Sequence, residues 1–246
     1  MVTGYPRPMD MHPLVLKSFW GLKVNGTIHA GAHMGEEREI YARLRFGPVT
    51  WIEAIPKLAK LVKELTPTED RVVNATLWSR SGQNLSFKVT NATGASSLFD
   101  LAEHQVEYPD IVVEEKLEVI TTTLDDLGLD KNSNLLVLDL QGAEFEALEG
   151  GIETLRSIDY ILTEVNRREL YSGIKLVQHL DAQLEVNGFI RVATRWTRHG
   201  WGEALYLKVY EQELVTRLWI KSKSLMYWFW LHLFEIPIVA TRLALR

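Results

Sequence analysis

Residues 24–37, VNGTIHAGAHMGEE, constrain the fold more than any other part of this chain. A short apolar run breaks into glycine, alanine and histidine and passes directly into charged residues. Gly31 and Gly35 bracket a turn where a side chain would collide with a bound ligand or with the start of the next helix. That helix points its first amides at the same place. The construction reads as a buried strand ending where a small molecule lies against the backbone.

The pattern then repeats along the chain. Thr27–Ala30 reads as a first strand, and GEEREIYARLRF has helical spacing, with Ile40, Tyr41 and Leu44 on one face. VTWIEA is a second strand, and Pro56 opens a helix in PKLAKLVKEL, where its missing amide costs little. RVVNATLW is a third strand and NLSFKVT an added one. Residues 93–123 are irregular, with a TGASSLF loop, a short helix and an extended LEVITTTL. NSNLLVLDL is the continuous apolar run of a strand covered on both faces. The helix AEFEALEGGIETLRS, the strand DYILTEV and a helix over 175–187 follow. FIRVATRWT and GEALYLKVY, joined by RHGW, read as a closing hairpin. This alternation predicts an α/β fold: a mostly parallel, doubly wound sheet with helices on both faces, modified by a C-terminal antiparallel hairpin strand. A ligand is then expected above the carboxyl ends of the strands, where strand order reverses.

Bulk properties narrow the ligand. A net charge of −5 gives no basic face for nucleic acid, so no nucleic-acid partner is expected. The absence of cysteine removes thiolate chemistry and disulfides and fits a reducing, cytoplasmic setting. The N-terminus lacks the unbroken apolar stretch of a signal peptide.

Glu53 ends the second strand, 22 residues after Gly31, a spacing that suits a carboxylate on both hydroxyls of an adenosine ribose. A dinucleotide needs G-x-G-x-x-G so that its pyrophosphate can approach the helix amides, whereas this turn holds Ala32 and His33 in the middle. An NAD-dependent sugar oxidoreductase is therefore the weaker reading. S-adenosylmethionine has no pyrophosphate and tolerates the wider turn, so the methyl donor is the expected cofactor.

The blocks TIHAGAHMGEE, VTWIEAIP, TGASSLF, TTTLDDL, LLVLDLQGAEFEAL and DYILTEVN, with HGWGEALYL after them, resemble the FkbM-type methyltransferases in order and spacing over residues 24–208. The resemblance implies a class I, Rossmann-like, S-adenosylmethionine-dependent O-methyltransferase with a sugar or glycan hydroxyl as acceptor. It implies that Gly31 and Gly35 form the cofactor turn, that Glu53 binds the ribose, and that Ser96 and Ser97 lie near the methyl donor. Asp139 and Glu144 match the D-x-x-G-A-E acids beside the methionine part or the acceptor. His29 stands where many members carry aspartate, and His33 shapes the turn around the cofactor. Trp78 and Ser79 follow the third strand, where class I enzymes often contact adenine.

A hydroxyl acceptor calls for a base within hydrogen-bond reach. Asp139, Glu164 and His199 are the candidates, although His199 reads equally well as an exposed hairpin histidine. Glu144 would be stabilised in a first helical turn with or without chemistry. Asp139, Glu164 and Asn166 offer oxygen ligands for a hard cation, but no spacing requires one and no metal is expected. Trp196 and Trp201 flank the hairpin turn and suit stacking on a sugar face or burial against the sheet.

The chain divides into an N-terminal extension over 1–23, the methyltransferase domain over 24–210 and an aromatic-rich helical tail over 211–246. The tail's apolar stretch, 225–240, is interrupted by His232, Glu235 and Pro237 and is short for a membrane span. A lid, a self-association contact or a peripheral membrane contact through 213–246 stays open, the last giving a cytoplasmic protein held at a membrane. A fold that kept its shape but lost catalysis, serving as a scaffold in a glycan-building assembly, is the rival from another class.

Overall fold

The computed structural model describes residues 15–209 and 222–228. In chain order the strands are β1 (Thr27–Ala30), β2 (Val49–Glu53), β3 (Arg71–Asn74), β4 (Thr76–Leu77), β5 (Asn84–Thr90), β6 (Val113–Thr122), β7 (Leu135–Leu138), β8 (Tyr160–Asn166), β9 (Phe189–Trp196) and β10 (Trp201–Lys208). The helices are α1 (Arg38–Leu44), α2 (Pro56–Leu65), α3 (Glu103–Glu107), α4 (Glu144–Glu149) and α5 (Val177–Val186).

Seven strands form the main sheet in the order β3-β2-β1-β7-β8-β10-β9. The first five in that order run parallel, and β10 inserts antiparallel between β8 and β9. The expected doubly wound sheet with its antiparallel C-terminal hairpin is therefore the fold. Strand order reverses between β1 and β7, whose registers pair Thr27 with Leu135 and Ala30 with Leu138. β1, β2 and β7 are buried at every position, because both faces are covered. On one face Trp51, Val137, Leu162 and Leu205 pack with Tyr41 of α1; on the other Ile52, Leu136, Ile161 and Ala204 pack with Leu148 of α4 and Leu180 and Leu184 of α5.

Three local expectations change. RVVNATLW is not one strand: the chain leaves the main sheet at Ala75, whose amide still donates to the Glu53 carbonyl, and Trp78 then donates to Thr122. β4 thus joins a second sheet, β4-β6-β5, which also takes NLSFKVT as β5. AEFEALEGGIETLRS is not one helix either. α4 stops at Glu149 because Gly150 lies directly against the Trp78 carbonyl and Gly151 against Leu124, and a single 3-10 turn over Thr154–Arg156 follows. Finally, the extended segment before TTTL reaches back to Val113, so β6 is ten residues long.

Within the expected N-terminal extension, Val15–Trp20 form a helical turn that buries Leu16 and Trp20 in the same core face as Tyr41. In the tail, residues 222–228 are helical, and Tyr227 packs on Trp20 and Phe19 at ring distances of 6.0 and 5.8 Å. The Lys223 ammonium donates to the Phe19 carbonyl at 2.8 Å. Residues 1–14, 210–221 and 229–246, and with them most of the tail, lie outside the described residues. No described helix is long and apolar enough to cross a membrane.

Candidate active site

A cavity of about 400 Å³ opens above the carboxyl ends of β1, β2, β7 and β8, at the reversal of strand order. Its floor begins with the GAHMG turn. Gly31 has φ +88°, and a Cβ there would fall 2.7 Å from the carbonyl carbon of Asp139 and closer still to its oxygen. The backbone of Asp139, just after β7, is enough by itself to require glycine here, a constraint that the sequence reading, with its bound ligand or helix start, did not contain. Gly35 has φ +69° but only ordinary contact with Val62 at 3.7 Å, and it does not face the cavity. Its turn, rather than crowding, needs the glycine.

His33, also left-handed at φ 45°, is held from three sides. Its amide donates to Glu53 Oε2 at 2.8 Å, its Nδ1 meets Glu36 Oε1 at 2.7 Å and its Nε2 meets Thr93 Oγ1 at 2.8 Å. Burial works against a charge on this ring, but the Glu36 bond and the charges of Glu36, Glu53 and Asp139 raise its pKa overall. His29 lies deeper, with Nδ1 2.9 Å from the Tyr41 hydroxyl and its ring stacked on Trp51 at 5.1 Å. Burial lowers its pKa to about 4, so it is an uncharged wall of the cavity.

Glu53 is 6% exposed, lines the cavity and uses one oxygen on each neighbouring loop: Oε2 accepts from His33 and Oε1 from the Ile55 amide, both at 2.8 Å. Each oxygen keeps a second acceptor direction. Burial raises its pKa, against the amides of Ile55, His33 and Ala54 and the charge of His33. Asn74 braces this strand end, donating to the carbonyls of Glu53 at 2.8 Å and Ala54 at 3.0 Å.

Beyond β7 the turn places Gln141 in a left-handed conformation, φ 52°. That strained backbone aims the side chain between two acids. Gln141 Nε2 donates to Asp139 Oδ1 at 2.6 Å and to Glu164 Oε2 at 3.2 Å, while its Oε1 accepts from the Tyr171 hydroxyl at 2.6 Å. Asn166 Nδ2 donates to the other Glu164 oxygen at 3.1 Å. Burial raises the pKa of both acids; Glu164 is pushed well up, by burial first and then by the charges of Asp139 and Glu144. Glu144 itself does not face the cavity. Its carboxylate accepts from the amides of Leu140 at 2.7 Å and Gly142 at 3.0 Å, holding the β7–α4 turn, and burial takes its pKa to about 8.

The remaining expected residues divide. Ser96 lines the cavity and accepts from the Thr90 amide at 3.1 Å, while Ser97 turns away to donate to the Gln141 carbonyl at 2.7 Å. Trp78 packs on Phe99 at 5.7 Å, and neither it nor Ser79 lines the cavity. His199 lies outside the wall, with Nδ1 2.6 Å from Glu107 and Nε2 accepting from Arg198 at 2.9 Å. Trp201 faces in; Trp196 instead carries the Arg167 guanidinium at 3.8 Å. Among the described residues, no group of three or more His, Cys, Asp or Glu is placed to hold a metal ion.

Sequence reasoning missed Glu37, His104, Tyr171 and Glu203, all of which line the cavity. Glu37 is 6% exposed, and burial, with the charges of Glu36, Asp139 and Glu203, raises its pKa to about 8. His104, on the short α3, is 2% exposed between the rings of Tyr108 and Tyr171, and burial lowers its pKa to about 4. Glu37 adjoins the glycine turn and was legible there; α3 and the segment with Tyr171 have no periodicity to mark them.

The wall is thus rich in carboxyl groups and holds no lysine or arginine among the described residues. That chemistry fits a cationic cofactor such as a sulfonium and offers nothing to a pyrophosphate. A model of the methyltransferase FkbM domain matches residues 29–191. The 2-O-methyltransferase NoeI of Sinorhizobium fredii is 29% identical over 157 residues, covering 58% of this chain and 64% of that protein. Among solved structures, magnesium protoporphyrin IX methyltransferase from Synechocystis PCC 6803 with bound SAM is 13% identical, with 79% of this chain and 74% of that one covered at a TM-score of 0.45. The 1,6-didemethyltoxoflavin-N1-methyltransferase of Burkholderia thailandensis is 11% identical, with 81% and 78% covered at 0.45.

Proposed function

The chain belongs to the FkbM methyltransferase family, and from that premise we propose that this S-adenosylmethionine-dependent enzyme methylates a hydroxyl of a sugar or glycan. The observation that carries the hydroxyl acceptor is the Asp139–Gln141–Glu164 bridge, set between the glycine turn and the aromatic side of the cavity formed by His104, Tyr171 and Trp201. The likeness to a 2-O-methyltransferase supports oxygen as the target. Aromatic faces beside carboxyl groups are a surface suited to a sugar, which has apolar faces and many hydroxyl donors.

S-adenosylmethionine, when bound, supplies a methyl group on a sulfonium that leaves as a neutral thioether. Glu53 would hold the ribose, and the β1 turn with Ser96 would position the rest of the cofactor. Alignment and exclusion of water are the main work left to the protein. Asp139 is the base: it lies on the floor and its raised pKa makes it a stronger acceptor than an exposed aspartate. It would accept the proton that the acceptor hydroxyl gives up. Glu164, pushed further up by burial and engaged at both oxygens by Gln141 and Asn166, orients the acceptor. His199, tied to Glu107 and outside the wall, is not assigned a chemical role.

The test is incubation with labelled S-adenosylmethionine and a panel of neutral oligosaccharides, with the product located by NMR. A methyl ether on a sugar carbon bears the proposal out. Label transferred only to a nitrogen or a carboxylate would refute it.

A further inference from the structure

In α/β sheets, phosphate is seated by free amides at strand ends and helix starts, helped by lysine or arginine. Here those amides are already occupied. Glu53 takes the amides of His33 and Ile55, each at 2.8 Å. Glu36 takes that of Met34 at 3.1 Å, and Glu144 takes those of Leu140 and Gly142 at 2.7 and 3.0 Å. The turns after β1, β2 and β7 are thus each closed by one of the chain's own carboxyl groups.

The side chains repeat the message. Among the described residues the wall holds Glu36, Glu37, Glu53, Asp139, Glu164 and Glu203 and no lysine or arginine. Its one ring drawn toward the protonated form, His33, already faces Glu36 at 2.7 Å. Glu37 is nine-tenths buried and lines the cavity, and among the described residues its carboxyl is bonded by its own amide alone. A carboxyl buried in a cavity wall keeps acceptor directions that a hydroxyl or amine of the ligand can use.

Resting on the sugar reading above, we propose that the acceptor carries no phosphate: the enzyme takes a neutral glycoside and rejects sugar phosphates and nucleotide-activated sugars. Methylation then follows the step that releases the sugar from its nucleotide carrier, so a glycosyl-transfer reaction supplies the substrate. Glu37 is the residue positioned to accept from a hydroxyl of that glycoside.

The experiment uses matched acceptors, namely the methyl glycoside, the 1-phosphate and the nucleoside diphosphate of each of several sugars. Glycerol and glycerol 3-phosphate serve as a non-sugar pair, and S-adenosylhomocysteine release is the readout. In parallel, the full chain loaded with S-adenosylhomocysteine is titrated calorimetrically with inorganic phosphate and pyrophosphate. The expected preference for the neutral member is roughly 100-fold in kcat/KM, the factor for one uncompensated like charge about 6 Å away at an effective dielectric constant near 20. Nucleotide sugars turned over as well as the glycosides would overturn the inference and leave the sugar reading standing. Turnover of glycerol but of no sugar would remove the sugar reading and support the charge rule. Pyrophosphate or phosphate binding tighter than about 1 mM would overturn the inference whatever the acceptor proves to be; absence of heat supports it.

Discussion

Gly31→Ala separates two reasons for a glycine in this turn. The alanine methyl would sit 2.7 Å from the Asp139 carbonyl carbon and 3.4 Å from its Cα, so the clash is with backbone, which no rotamer change relieves. β1 and β7 would have to part at their carboxyl ends, an overpacking cost of ~1–3 kcal/mol. Holding alanine at φ +88° adds ~1–3 kcal/mol of backbone strain. We expect a loss of about 3–5 kcal/mol, read in cofactor-free protein as a fall in Tm of at least ~6 °C for a domain of this size. Gly35→Ala is the control: at φ +69° with Val62 at 3.7 Å it bears the strain without the clash, so it should cost roughly 1–2 kcal/mol. The assay is thermal and denaturant unfolding of both variants, followed by calorimetry with S-adenosylmethionine. If Gly31→Ala unfolds no more easily than Gly35→Ala yet loses the cofactor, the glycine serves the ligand and the packing argument is wrong.

Three further outcomes are expected. Glu53→Gln keeps the shape but places an amide NH₂ against the amide of His33 or Ile55; affinity for S-adenosylmethionine should fall at least about tenfold by calorimetry, as one lost charge-assisted hydrogen bond requires, and unchanged affinity would remove Glu53 from the cofactor site. Tyr171→Phe removes the 2.6 Å bond that orients Gln141 between Asp139 and Glu164, so kcat should drop by roughly tenfold or more while stability falls only ~1 kcal/mol in denaturant unfolding; an unaltered kcat would dismiss the bridge as a positioning device. Glu37, with its folded pKa raised to about 8, contributes stability that is complete below its unfolded value and lost as pH rises through the folded one. His29 and His104, lowered to about 4 when folded, still take up protons near their ordinary 6.5 in the unfolded chain and oppose this slope up to about pH 7.5. The window that reads Glu37 therefore runs from about pH 7.5 to 8, where the raised His33 acts in the same direction. Denaturant unfolding should show stability declining across that window, and Glu37→Gln should flatten the slope by up to ~1.4 kcal/mol per pH unit; an identical slope in the variant would count against the buried, protonated acid.

The sequence alone determined what depends on a few neighbouring residues. Strand and helix periods placed every strand of the main sheet, the Pro56 helix and the closing hairpin, because burial of one face or both is written into residues two to four apart. The GAHMG turn and Glu53 likewise marked the position of the cavity. Tertiary structure decided the rest, because the cavity wall is assembled by strand order, and strand order joins segments that share no local pattern. His33 meets Thr93 across 60 residues, and Tyr171 reaches Gln141 across 30. The same neighbour effects split RVVNATLW between two sheets, stopped α4 where Gly150 abuts Trp78, and turned Ser97 and Glu144 from ligand contacts into braces. They also gave Gly31 a reason: the carbonyl of Asp139, more than a hundred residues later, occupies the space where its side chain would be.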